Sequence, residues 1–127
     1  MATLDAFGIV VDDMAAALAF YRLLGLDIPA GADAEGHVEV ALGDGVRLMF
    51  DSVAVIESFS EWEPPSGGRR IGLAFRCESP ADVDATHERV VAAGYTSKLE
   101  PFDAFWGQRY ATLFDPDGNP VDLYATL

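Results

Sequence analysis

The chain predicts an α+β fold made of two βαβββ modules, and three observations predict it. The order strand, helix, hairpin occurs in the first half and again in the second. Each helical stretch is followed by a glycine, Gly25 and Gly94. Each hairpin turns on a glycine-bearing segment, Gly43-Asp44-Gly45 and then DPDGNP from Asp115 to Pro120. Recurrence on this scale marks one structural unit used twice. The modules fall at about residues 1–55 and 69–127, joined by a linker at about 56–68 within a single domain.

In the first module, AFGIVV from Ala6 ends in β-branched residues and reads as a strand. Asp12 or Asp13 suits the N-cap of the next element, in which Met14, Leu18 and Tyr21 share one helical face with Ala17 and Leu24 on its flank. HVEVALGDGVRLMF is then two strands about the Gly43–Gly45 turn. In the second module, IGLAFRC is a strand. Ser79, Pro80 and Asp82 form a helix start, and Val83, His87, Val90 and Val91 make the expected buried stripe. KLEPFD and the hairpin WGQRYATLFDPDGNPVDLY complete the module. The linker ends in Pro64, Pro65, Gly67 and Gly68, and its aromatics Phe59 and Trp62 either pin it to the sheet or touch a ligand.

Composition narrows the partners. The formal charge is −13, from 21 acidic and 8 basic residues, which repels phosphate backbones and anionic lipid. Nucleic acid and membrane are therefore excluded as expected partners, and a cationic small molecule would be attracted. Apolar runs are short, and the start carries no basic and apolar leader pattern, so a cytoplasmic protein is expected. Cys77 is the single cysteine; it can form no internal disulfide, and strand parity turns it toward the helices as an inert thiol.

FGIVVDDMAAALAFYRLLGL together with WGQRYATLFDPDGNPVDLY resembles the vicinal oxygen chelate superfamily, which includes glyoxalase I, extradiol dioxygenases and bleomycin-resistance proteins. The resemblance implies a cupped mixed sheet with helices outside, a hollow for a ligand or metal, and a homodimer. It also implies a set of metal ligands, which this chain largely lacks. The first position falls on Ala6 and the second on Gly72, neither with a donor atom. The third falls on Asp122, and the remaining one near Arg47 or Met49, where an arginine would oppose a cation. His87 lies on a helix and His37 at a strand end, so neither replaces them. No metal, no other cofactor and no catalytic residue is expected.

Parity then defines the inward face. Ala6, Gly8, Gly72 and Ala74 are small and leave room unless neighbouring side chains fill it. Arg47, Met49, Trp62, Trp106, Tyr110, Asp122 and Tyr124 are the expected ligand-binding residues, with Phe59, Phe102 and Phe105 as further rim aromatics and Arg76 also inward. Asp122 contacts either a ligand or an internal arginine, Arg47 or Arg76. The leading functional expectation is a small-molecule binding protein, closest to the bleomycin-resistance-like binders, that sequesters an aromatic or cationic ligand without a metal. The alternative is a glyoxalase-like lyase or isomerase, or a dioxygenase, with an altered or absent metal site.

Overall fold

The computed structural model describes residues 1–127, which divide into two units, residues 1–64 and 65–127. Both are α+β.

In the first unit the order is β1 (Ala6–Val11), α1 (Met14–Leu23), a 3₁₀ turn (Ala30–Ala34), β2 (His37–Ala41), β3 (Arg47–Ser52) and α2 (Val53–Glu57). The sheet runs β1-β3-β2, parallel between β1 and β3 and antiparallel between β2 and β3. Asp13 is the cap of α1: its carboxylate accepts the Ala16 N–H at 3.1 Å. Met14, Ala17, Leu18, Phe20 and Tyr21 are buried, while Leu48 and Phe50 are the buried residues of β3. The Tyr21 and Phe50 rings meet at 5.2 Å. Phe20 lies outside the helical face read from the sequence, yet it is fully buried and packs edge-on against Tyr21.

This unit departs from the expected βαβββ order, because only two strands follow α1. The segment after β3 is β-branched in composition but forms a short helix instead. Ser52 starts it, its hydroxyl accepting the Val55 N–H at 3.2 Å, so a local cap outweighs a modest strand preference. Beyond it Phe59 is 75% exposed, which corrects the expectation that it pins the linker to a sheet. Trp62 is half-buried.

The second unit is a complete βαβββ: β4 (Leu73–Arg76), α3 (Pro80–Ala92), β5 (Thr96–Asp103), β6 (Gln108–Phe114) and β7 (Pro120–Thr126). Its sheet runs β4-β7-β6-β5, with β4 parallel to β7 and the rest antiparallel. Ser79 caps α3, accepting the Asp82 N–H at 3.1 Å. The helix buries Val83, Thr86, His87 and Val90. Val91 stays 39% exposed, because the stripe through residues 83, 87 and 90 leaves it on the flank. His87 satisfies its ring with the Ser97 hydroxyl at 2.8 Å. Ala111, Leu113, Val121, Leu123 and Ala125 form the buried face of β6 and β7.

The DPDGNP segment is a locked turn. Asp115 is buried, and its Oδ1 accepts the N–H groups of Asp117 and Asn119 at 2.9 and 2.8 Å. Its Oδ2 accepts Asn119 Nδ2 at 2.8 Å, and Gly118 takes a φ of 80° that a side chain would resist. Arg69 closes the turn from outside, donating to the Asp117 carbonyl at 2.8 Å. Opposite this turn, β5 pairs with β6 through two register shifts, one between Ser97 and Leu99 and one between Leu99 and Phe102. The shifts bring Leu99 opposite Thr112 and Phe102 opposite Tyr110, both positions of one parity on β6. No helix of the chain is long and apolar enough to cross a membrane.

Candidate functional site on the open face of the second sheet

Strand alternation gives β6 and β7 one face buried with α3 and one left open. The register of the open face places side chains in rows across the strands. One row runs Arg76, Tyr124, Tyr110, Phe102 from β4 to β5; the next runs Ala74, Asp122, Thr112, Leu99. Gly107, at a φ of 91°, turns the chain between β5 and β6 and sets Trp106 beside the first row. Trp106 lies 5.3 Å from Tyr110, 6.3 Å from Phe102 and 5.0 Å from Phe105, in edge-to-face contacts at every pair. Its indole N–H donates to Gln108 Oε1 at 2.8 Å, which fixes the ring plane. Phe105 is 98% exposed and Trp106 49%, so this is an aromatic surface open to solvent.

Asp122 sits in the middle of the open face, and neither arginine considered for it is its partner. Tyr110 donates its phenolic hydrogen to one carboxylate oxygen, and the Thr112 hydroxyl donates to the other at 2.7 Å. The register explains the pairing: Thr112 is directly opposite Asp122, and Tyr110 is two residues along the same strand. Burial and then the carboxylate beside it push the Tyr110 hydroxyl up to about 12. This has a testable consequence. In an ultraviolet pH titration Tyr110→Phe should remove a tyrosine phase near pH 12. Because the folded value is raised, the contact stabilises fully below the ordinary value near 10 and is lost as the pH climbs toward 12. A phase near pH 12 of undiminished amplitude in Tyr110→Phe would refute the assignment.

The remaining expected site residues lie in the first unit. Arg47 and Met49 share the open face of β3, and Arg47 is committed to the carboxylates of Asp5 and Glu39. His37 is held at both ring nitrogens, Nε2 by Glu39 at 2.8 Å and Nδ1 by Asp51 at 2.5 Å; Glu39 first and Asp51 second raise its pKa. It is a member of an ion-pair chain along the strands. Trp62 belongs to the segment after α2. The second unit brings together Trp106, Tyr110, Asp122 and Tyr124.

The donor set for a metal is missing in both units. No group of three or more His, Cys, Asp or Glu side chains is placed to hold a metal ion. Ala6 and Gly72 offer no donor, and both oxygens of Asp122 already accept hydroxyl hydrogens. A side chain at Gly8 would meet nothing within 4 Å, so space is present there, whereas Gly72 has Pro120 at 3.5 Å. Two other candidates for chemistry are also committed. Arg109 is paired with Asp84 of α3 at 2.8 Å and with Asp103. Cys77 has its thiol pushed up by burial and then by Asp82, which suppresses the reactive thiolate.

Thr112 was not foreseen in the sequence. It is found by pairing the two strands outward from the DPDGNP turn, which sets Phe114 against Pro120 and hence Thr112 against Asp122.

The comparisons with known proteins agree with this fold. Residues 3–123 match the model of the Glyoxalase/Bleomycin resistance protein/Dioxygenase superfamily. A curated relative, the uncharacterized protein Mb0911c of Mycobacterium bovis, is 29% identical, over 91% of this chain and 78% of its own. Among solved structures, a glyoxalase/bleomycin resistance protein/dioxygenase family enzyme from Burkholderia phytofirmans is similar with a TM-score of 0.79 at 23% identity, covering 99% of this chain and 100% of that one. A glyoxalase/bleomycin resistance protein/dioxygenase from Nocardioides is similar with a TM-score of 0.71 at 27% identity, covering 100% of this chain and 85% of that one. The chain belongs to the glyoxalase/bleomycin resistance protein/dioxygenase superfamily.

Proposed function

We propose that this chain is a metal-independent binding protein for small planar aromatic molecules, which it holds against the open face of the second sheet and sequesters without chemistry. The observation that carries this reading is the exposed cluster of Phe102, Phe105, Trp106 and Tyr110. Large aromatic side chains in mutual edge contact give flat, rigid area that a conjugated ring can cover with little loss of side-chain entropy. Asp122 supports the surface from beneath by fixing the Tyr110 hydroxyl.

An enzyme without a metal would need a proton donor or base on this face. Tyr110 gives its hydroxyl hydrogen to Asp122, and a value of about 12 makes it a poor acid at neutral pH. Binding is therefore the reading that the side chains favour. The net charge of −13 acts over long range, where salt screens it within about 8 Å. The ligand's own charge is set by its immediate neighbours.

A thermal-shift screen tests the proposal, with conjugated aromatic compounds in one arm and nickel, zinc, iron and manganese salts in the other. Binding to the folded state stabilises by about 2.7 kcal/mol at a hundredfold excess over Kd. The expected result is a raised Tm with aromatic compounds and no change with metal ions. A rise with metal alone, matched by stoichiometric metal after mild purification, would overturn it.

A further inference from the structure

We infer that the ligand carries a single negative charge at one end, a carboxylate on an aromatic body, and that Arg76 receives it. The inference rests on the binding function proposed above and specifies its ligand class.

Three arginines stand on strands, and two are spoken for. Arg47 is paired with Asp5 and Glu39, and Arg109 with Asp84 and Asp103. The Arg76 side chain makes no hydrogen bond and no ion pair, although the chain holds 21 acidic residues for 8 basic ones. An exposed guanidinium that no side chain of so acidic a protein engages is able to receive an anion, and its planar fork matches a carboxylate.

Its position gives this a meaning. Arg76 ends the row that continues through Tyr124 and Tyr110 to Phe102. At about 4.8 Å between strands, Tyr110 stands about 10 Å from Arg76, the length of a two-ring aromatic acid laid across the sheet. The carboxylate end has somewhere to go as well. Arg76 lines an open hollow of ≈ 470 Å³ with Cys77, Glu78, Ala125 and Thr126, and Thr126 there offers a hydroxyl that bonds to nothing else in the chain. Glu78 on the same wall repels a second negative charge, which selects a monoanion over a dianion. On this face Asp122 serves a cation less well, because each of its oxygens already accepts a hydroxyl hydrogen.

The test is a fluorescence or calorimetric titration of the full chain with three matched probes. These are naphthalene-2-carboxylate, the neutral naphthalene-2-carboxamide, and naphthalen-2-ylmethylammonium. The carboxylate should bind about tenfold more tightly than the amide. Arg76→Gln should abolish that difference and leave amide affinity unchanged, while Arg70→Gln, an exposed arginine outside the strands, should preserve it. If the amide or the ammonium binds as well as the carboxylate, the charge assignment is wrong while the aromatic binding function stands. If Arg70→Gln and Arg76→Gln cost the same, the effect is long-range charge and Arg76 is not the receptor. If none of the probes binds at millimolar concentration, the binding function itself fails, and this inference with it.

Discussion

Asp115→Ala is expected to lower the unfolding free energy by about 3 kcal/mol. One buried carboxylate accepts two backbone N–H groups and the Asn119 side chain, at 2.8–2.9 Å in each case. Bonds to a charged acceptor contribute about 1.5–3 kcal/mol each, though not additively. Alanine also leaves the two N–H donors without their partner. In a chain of this size the change corresponds to a fall of about 10 °C in Tm. Asp115→Asn keeps one acceptor oxygen and should cost roughly a third as much. Chemical denaturation followed by tryptophan fluorescence measures both variants. A loss for alanine below about 1 kcal/mol would mean that the turn holds without its carboxylate.

For binding, the largest effect should come from Trp106→Ala, with about a 30-fold weakening toward an aromatic ligand, or about 2 kcal/mol. The ring is half exposed and touches Phe102, Phe105 and Tyr110, so it contributes area to the ligand more than to the core. Asp122→Ala should weaken binding as well, by releasing the Tyr110 and Thr112 hydroxyls from their acceptor. His87→Ala is the contrast. His87 is buried in the helix layer on Ser97, so its loss should lower stability and leave the Kd of the folded protein alone. Isothermal titration of the three variants separates these outcomes. Equal losses in all three would dissolve the distinction between the open face and the core.

What the sequence shows and what it hides follow from the range of the interactions. The second unit was legible because its signals are local. Ser79 and Pro80 begin a helix, Gly94 follows it, and DPDGNP can only be a turn. Alternation along β7 likewise put Asp122 and Tyr124 on one face. The first unit was harder to read past β3, where Val53–Glu57 has strand-like composition but a serine cap that makes it helical. Partners were the least legible part. That Asp122 binds hydroxyls and not an arginine depends on strand register, and that Arg47 belongs to Asp5 depends on residues 42 positions apart meeting across a parallel pair. Composition carries no trace of either.

The irregular pairing of β5 has a consequence for how this protein behaves in a crowded solution. β5 is one of the two edge strands of its sheet, and an edge with a regular row of free peptide groups invites neighbouring molecules to zip on. Two register breaks in eight residues, with Pro101 lacking an N–H and Lys98 adding charge, give that margin no continuous template. The same kinks that set Leu99 and Phe102 against β6 thereby make β5 a poor edge for a neighbouring molecule to pair with.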